Sequence, residues 1–113
     1  MPELPEVETL RQSLIPRVVN KTVAKVEIYN PVVIESQNPE EFTALKGALI
    51  TEIKRRGKYL LFHITPQGKD SQPLVMTAHM RMTGKLLYDE ETQPVRKHEH
   101  LKFIFSDNSQ LAF

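Results

Sequence analysis

Leu4, Val7, Leu10, Leu14 and Val18 recur at an average spacing of about 3.5 residues, while Glu3, Glu8, Arg11, Gln12 and Arg17 fall off that stripe. This is the pattern of an amphipathic helix that buries one face on a core. Pro16 lacks the N–H that a helix interior uses, so the regular helix is expected from about Pro5 to Leu14, followed by a turn to Asn20. The period then changes to two. Ala24, Val26 and Ile28 alternate with Lys25 and Glu27, which predicts a half-buried strand from Thr22 to Tyr29. Asn30-Pro31 interrupts it, and Val32-Val33-Ile34 predicts another short strand. Asn38-Pro39-Glu40-Glu41-Phe42 then offers an N-cap, a proline at the first helical position and acids in the first turn. A second short helix is expected there, stopping at Gly47.

The rest of the chain reads as β. Ala48 to Lys54, Tyr59 to Thr65, Leu74 to His79, Gly84 to Tyr88, Leu101 to Phe105 and Gln110 to Phe113 predict strands, separated by turns rich in Gly, Asp, Asn and Pro. The expected fold is mainly β with helices (α+β): a β-sandwich of about eight strands with the N-terminal helix packed beside it. With 113 residues, 40% of them hydrophobic, residues 1–113 fit one domain with an adequate core. Phe113 lies inside an apparent strand with no turn or cap after it, which predicts that these residues are part of something longer.

Composition narrows the chemistry. No run of about 18 apolar residues and no charged-then-apolar leader is present, so neither a membrane partner nor secretion is expected and the chain reads as cytosolic. The absence of cysteine excludes disulfides and thiolate zinc sites within these residues. The net charge of +1 conceals a segregation. Residues 1–53 hold five Lys/Arg against eight Asp/Glu, and residues 54–113 hold ten against six, so the later part favours an anionic partner.

The first candidate site is the N-terminus. Removal of Met1 would leave the Pro2 nitrogen as a free secondary amine. An α-amino group has a pKa of roughly 7.7–8.0, so a sizeable fraction is neutral and nucleophilic near neutral pH. Condensed with a sugar aldehyde carbon, a secondary amine gives an iminium, an electron sink for elimination further along the sugar. Glu3 beside it can donate and recover a proton. The plainer reading is that Glu3 and Glu6 serve the helix dipole and that Pro5 suits a first helical position.

A second candidate is Lys54-Arg55-Arg56-Gly57-Lys58, four cations in five residues at an expected hairpin turn, where glycine lets a phosphate approach and cations such as Arg56 neutralise it. Solvation of a charged tip is the alternative. A third is His79-Met80-Arg81-Met82-Thr83-Gly84, in which composition alone makes Met82 a core filler and His79 a satisfied strand-end histidine. His98 and His100 fall on one strand face, but no convincing third ligand joins them, and no metal site is expected.

Pro2-Glu3-Leu4-Pro5-Glu6-Val7-Glu8-Thr9 resembles the opening of the bacterial formamidopyrimidine-DNA glycosylase family (Fpg, or MutM), and the other motifs follow in that family's order. The resemblance implies that Pro2 is the nucleophile and Glu3 the proton shuttle. In Arg55-Arg56-Gly57-Lys58-Tyr59-Leu60 it implies that Lys58 is an essential lysine contacting the phosphate beside a lesion. It implies phosphate binding by His79 and intercalation by Met82, with Arg81 alongside: an unbranched side chain fills the gap that a flipped base leaves. Glu6, one turn along the helix from Glu3, either organises the pocket by hydrogen bonds or serves only the helix dipole. The Lys97-His98-Glu99-His100 segment is similar to a Lys-His-x-His element read as structural, with backbone contacts to DNA as an added possibility.

The implied function is excision of oxidised purines from damaged double-stranded DNA with abasic-site lyase activity, by a cytoplasmic, nucleoid-associated monomer with no protein partner. The family's later parts, a helix-two-turn-helix unit and a four-cysteine zinc finger, are absent from these residues, so no cofactor is expected here. Phe113 stands too early to be the family's wedge phenylalanine. Three other readings compete with it: an endonuclease VIII-like enzyme for oxidised pyrimidines, against which Leu4 argues, a catalytically silent damage-binding module if Met1 stays, and a tautomerase.

Overall fold

A computed structural model describes residues 4–29, 45–68, 72–79, 86–97 and 99–113. Helix α1 (Leu4–Val18) is followed by β1 (Val23–Ile28), β2 (Leu49–Arg56), β3 (Tyr59–Thr65), β4 (Leu74–His79), β5 (Leu87–Asp89), β6 (Leu101–Phe105) and β7 (Gln110–Ala112). The described strands form two antiparallel sheets, one of order β1-β6-β7-β5 and one of order β2-β3-β4. This is the expected mainly β architecture with a helix at its side. The expected strand Val32–Ile34 and nearly all of the second helix lie outside the described residues.

The expectation that Pro16 would end the helix fails: α1 continues through it to Val18. Pro16 sits in the last turn, where its missing N–H deprives only the carbonyl of Gln12, on a residue exposed to water. Arg17 Nη1 donates to the Ser13 carbonyl at 2.6 Å, and Val18 at the far end is fully buried. Burial of that last apolar position outweighs one lost backbone bond. Asn20, at φ 73°, then turns the chain in the left-handed conformation that often follows a helix.

The sheets face each other across an apolar core. On β3, Leu60, Phe62 and Ile64 point inward, as alternation in a strand requires. Ile50 and Ile53 of β2 and Val7, Leu14 and Val18 of α1 join them from one side, and Phe103, Phe105 and Leu111 from the other sheet. Phe113 bridges the layers, its ring edge-on to Phe62 at 6.2 Å and to Phe103 at 5.4 Å. A corner ties the sheets together where Asn20 and Val23 donate backbone N–H groups to Ile50 and Ala48.

Polar groups close the ends. Lys21 Nζ donates to Tyr88 Oη at 2.6 Å and Ser109 Oγ at 2.7 Å and pairs with Asp107 at 2.8 Å. The Lys21 and Ser109 contacts hold the Asp107 carboxyl well below the usual range. Lys21 is raised from its ordinary value because these partners outweigh the opposing effect of burial. Elsewhere Lys102, only 2% exposed, donates to the Gln93 carbonyl, and Arg96 joins Asp89 and Glu99. These contacts tie Gln93, Arg96 and Glu99 to the sheet.

Gly47 has φ +84°, and its position is crowded by the Gln67 side chain. Gly47→Ala is therefore expected to cost about 1–2 kcal/mol, read as a lowered urea midpoint with unchanged slope. The carboxylates have a definite sign. Because the folded pKa of Asp107 lies below its ordinary 3.8, its contribution is present above that value and lost as pH falls through the folded one. Because the Asp107 side chain is half exposed, solvent screening keeps the effect modest: stability should decline as pH falls below about 4, and Asp107→Asn should flatten part of that acid limb in denaturation measured across pH 2–7.

Candidate nucleic-acid interface

Three of the four cations expected at a hairpin tip stand on β2 itself, and the turn consists of Gly57 and Lys58 alone. Gly57 has φ +59°, as the first position of a two-residue type II′ connection demands. The alternation of β2 separates its cations. Arg55, opposite Leu60, faces α1, whereas Lys54 and Arg56, opposite Leu61 and Tyr59, face away.

Across the outward face, Arg56, Tyr59 and His79 lie opposite one another in a single row over the three strands. The His79 ring stacks on Tyr59 with centroids 4.4 Å apart and planes 20° from parallel. Tyr59 remains 44% exposed, so the pair forms an open aromatic shelf beside the Lys58 turn. Three residues singled out from the sequence, Arg56, Lys58 and His79, are thus gathered at one end of one sheet. Pro2, Glu3, Arg81 and Met82 lie outside the described residues.

Helix α1 approaches the same end. Glu8 Oε1 accepts from Arg55 Nε at 2.9 Å, Arg11 Nε donates to the Ile53 carbonyl at 2.9 Å, and the Asn20 N–H meets the Ile50 carbonyl. Later helix residues thus meet earlier strand residues, so α1 runs antiparallel to β2. Its N-terminal turn, with Glu6 exposed, is directed toward the Gly57-Lys58 turn. Hydrogen bonds from Gln12, Arg55 and Arg11 hold the Glu8 carboxyl below its ordinary range and keep it charged.

Periodicity alone did not reveal Glu8, Arg55 and Tyr59 as parts of this end, because their partners are distant in sequence. Among the described residues no three His, Cys, Asp or Glu side chains stand close enough to hold a metal ion. None of the described helices is long and apolar enough to cross a membrane.

Comparison with known proteins adds a decisive observation: the model of the formamidopyrimidine-DNA glycosylase N-terminal domain matches residues 1–113, the whole chain. The chain belongs to the formamidopyrimidine-DNA glycosylase family. It is 40% identical over its full length to a formamidopyrimidine-DNA glycosylase of Moorella thermoacetica, and 45% identical over 95% of its length to one of Carboxydothermus hydrogenoformans. In both cases it spans 39% of the relative's length. The fold agrees with that of Lactococcus lactis Fpg (MutM) bound to DNA containing N7-benzyl-Fapy-dG. That likeness has a TM-score of 0.83 at 37% identity and covers 98% of this chain and 39% of the other. A MutM in complex with DNA containing carbocyclic 8-oxo-G gives a TM-score of 0.83 at 38% identity, covering 98% and 40%.

Stacking on Tyr59 constrains the orientation of His79 in the row. Tyr59→Ala is expected to leave the unfolding free energy within about 0.5 kcal/mol of wild type, read by urea denaturation, since the residue lies on an exposed face. The His79 ring resonances in proton NMR should lose their upfield ring-current shift in the same variant.

Proposed function

We propose that residues 1–113 are the N-terminal catalytic domain of a base-excision-repair DNA glycosylase that also cleaves the strand at abasic sites. Its proposed substrates are oxidised purines such as 8-oxoguanine and formamidopyrimidines in duplex DNA. The observation that carries this reading is the family match over the whole chain. The gathering of Arg56, Lys58 and His79 beside the N-terminal turn of α1 supports it.

In the proposed reaction the neutral Pro2 nitrogen, exposed by removal of Met1, attacks C1′ of an extruded nucleotide. The bond to the damaged base breaks with its electron pair leaving on the base, which takes up the proton that the Pro2 nitrogen loses on bonding to C1′. Glu3 supplies a proton as the sugar ring opens to an iminium and recovers one later. The iminium acidifies the C2′ hydrogen; its loss expels the 3′ phosphate by β-elimination, and δ-elimination then expels the 5′ phosphate. Extrusion is required because the sugar carbon is inaccessible within a stacked duplex.

Lys58, Arg56 and His79 are assigned to the phosphates flanking the lesion, Met82 to the gap left in the stack, Arg81 to its neighbourhood, and Glu6 to the pocket. A four-cysteine zinc finger would belong to a later domain, since these residues contain no cysteine and do not fit it. That domain would supply much of the grip on DNA, so residues 1–113 alone should bind and turn over weakly. A cytoplasmic, nucleoid-associated site of action follows from the substrate.

Borohydride should trap a covalent adduct between abasic-site DNA and full-length protein shown by intact mass to begin at Pro2. Pro2→Gly should reduce trapping at least about tenfold, because it replaces the secondary amine. Absence of any adduct would overturn the lyase assignment. Under equal conditions 8-oxoguanine should be excised faster than 5-hydroxycytosine, and the reverse order would favour an oxidised-pyrimidine enzyme.

A further inference from the structure

Both oxygens of the Glu8 carboxylate are engaged. Oε2 accepts from Arg11 Nη1 at 2.8 Å and Gln12 Nε2 at 2.9 Å, both on its own helix, and Oε1 accepts from Arg55 Nε at 2.9 Å on β2. The same guanidinium continues the chain, since Arg55 Nη1 donates to the Gly57 carbonyl at 3.2 Å. That carbonyl belongs to the planar peptide unit that also contains the Lys58 nitrogen. A continuous path of charge-assisted hydrogen bonds therefore runs from α1, through Glu8 and Arg55, to the backbone of Lys58. Arg55 lies on the α1 side of β2 and uses Nε and Nη1 on protein acceptors, unlike Arg56 in the outward row.

We propose that Glu8 and Arg55 are positioning residues that hold the helix following Pro2 in register with the Lys58 turn, so that amine and ammonium reach one nucleotide together. This rests on the function proposed above and assigns roles to two residues beyond those already named. Glu8 lies one turn into α1, close behind the amine in sequence, and Arg55 is the only residue of β2 described as bonding both helix and turn. Partly exposed ion pairs add little to folding stability. Misplacement of reacting groups by about 1 Å can cost about a hundredfold in rate, so the effect of the clamp should appear in chemistry more than in stability.

The test uses full-length protein beginning at Pro2 in four forms: wild type, Glu8→Ala, Arg55→Ala and the double variant. Single-turnover borohydride trapping is measured with saturating abasic-site DNA, beside the Kd for the same DNA and the Tm. Each single variant should trap about 10–100-fold more slowly with Kd changed less than about threefold, and the double variant should be no slower than the worse single. Arg55→Lys, which keeps the charge but cannot serve both acceptors, should fall between wild type and Arg55→Ala.

A readout independent of catalysis is the Lys58 backbone amide resonance, which Glu8→Ala should shift and Thr9→Ala should not. Unchanged trapping rates, fully additive losses, or an unmoved Lys58 resonance would overturn the clamp. If wild type itself formed no adduct while Glu8→Ala still shifted Lys58, the lyase reading would fail and the clamp would stand only as a structural tie, overturning its role in catalysis.

Discussion

The arrangement depends on how α1 lies along the free edge of β2. An edge strand presents backbone groups that no neighbouring strand satisfies, and it requires a cover. Here the cover is made by α1 and the turn after it: Arg11 takes the Ile53 carbonyl, and residues 20 and 21 exchange backbone bonds with Ile50. Val7, Leu14 and Val18 bury the helix face against the same sheet. The edge is closed and the helix direction set by one set of contacts. That direction brings the helix N-terminus to the end of the sheet where Lys58, Tyr59 and His79 lie.

Charge is used differently at different ends of the molecule. Around Lys21 and around Lys102, cations are matched to carboxylates and carbonyls and serve to lock turns onto the sandwich. Among the described residues no buried side-chain nitrogen or oxygen lacks a partner. On the outward face of the three-stranded sheet, Arg56 and His79 share a row with an exposed tyrosine beside the Lys58 turn. Arg56 is exposed there beside an aromatic plane, and further along the same face Lys54 is paired with Glu52. Glu8 and Arg55 stand between the two uses, paired like the structural ions but directed at the turn that carries Lys58.

Much of the fold was legible in the sequence because each element announces itself locally. The alternation in Tyr59 to Thr65, Leu74 to His79 and Leu101 to Phe105 gave those strands with their observed limits. Pro16 misled because its cost depends on position and on the burial of Val18, and burial is not a local property. The length of β2 was underestimated at Arg55 and Arg56, whose charge suggested a loop while their strand partners Leu60 and Tyr59 kept them in the ladder.

The motifs that tie this chain to its family, from Pro2-Glu3-Leu4-Pro5 through Arg56-Gly57-Lys58 to His79, are likewise properties of the string alone. Residue types and short spacings determined the chemistry available, since an amine, a cation and a turn glycine each act through their own side chain or backbone. Their convergence was decided only by tertiary structure. Strand register places Arg56, Tyr59 and His79 in one row, and a hydrogen bond across 47 residues brings Glu8 to Arg55. Such pairings follow from sheet registry and helix docking, which depend on the whole core at once and leave no local pattern in the sequence.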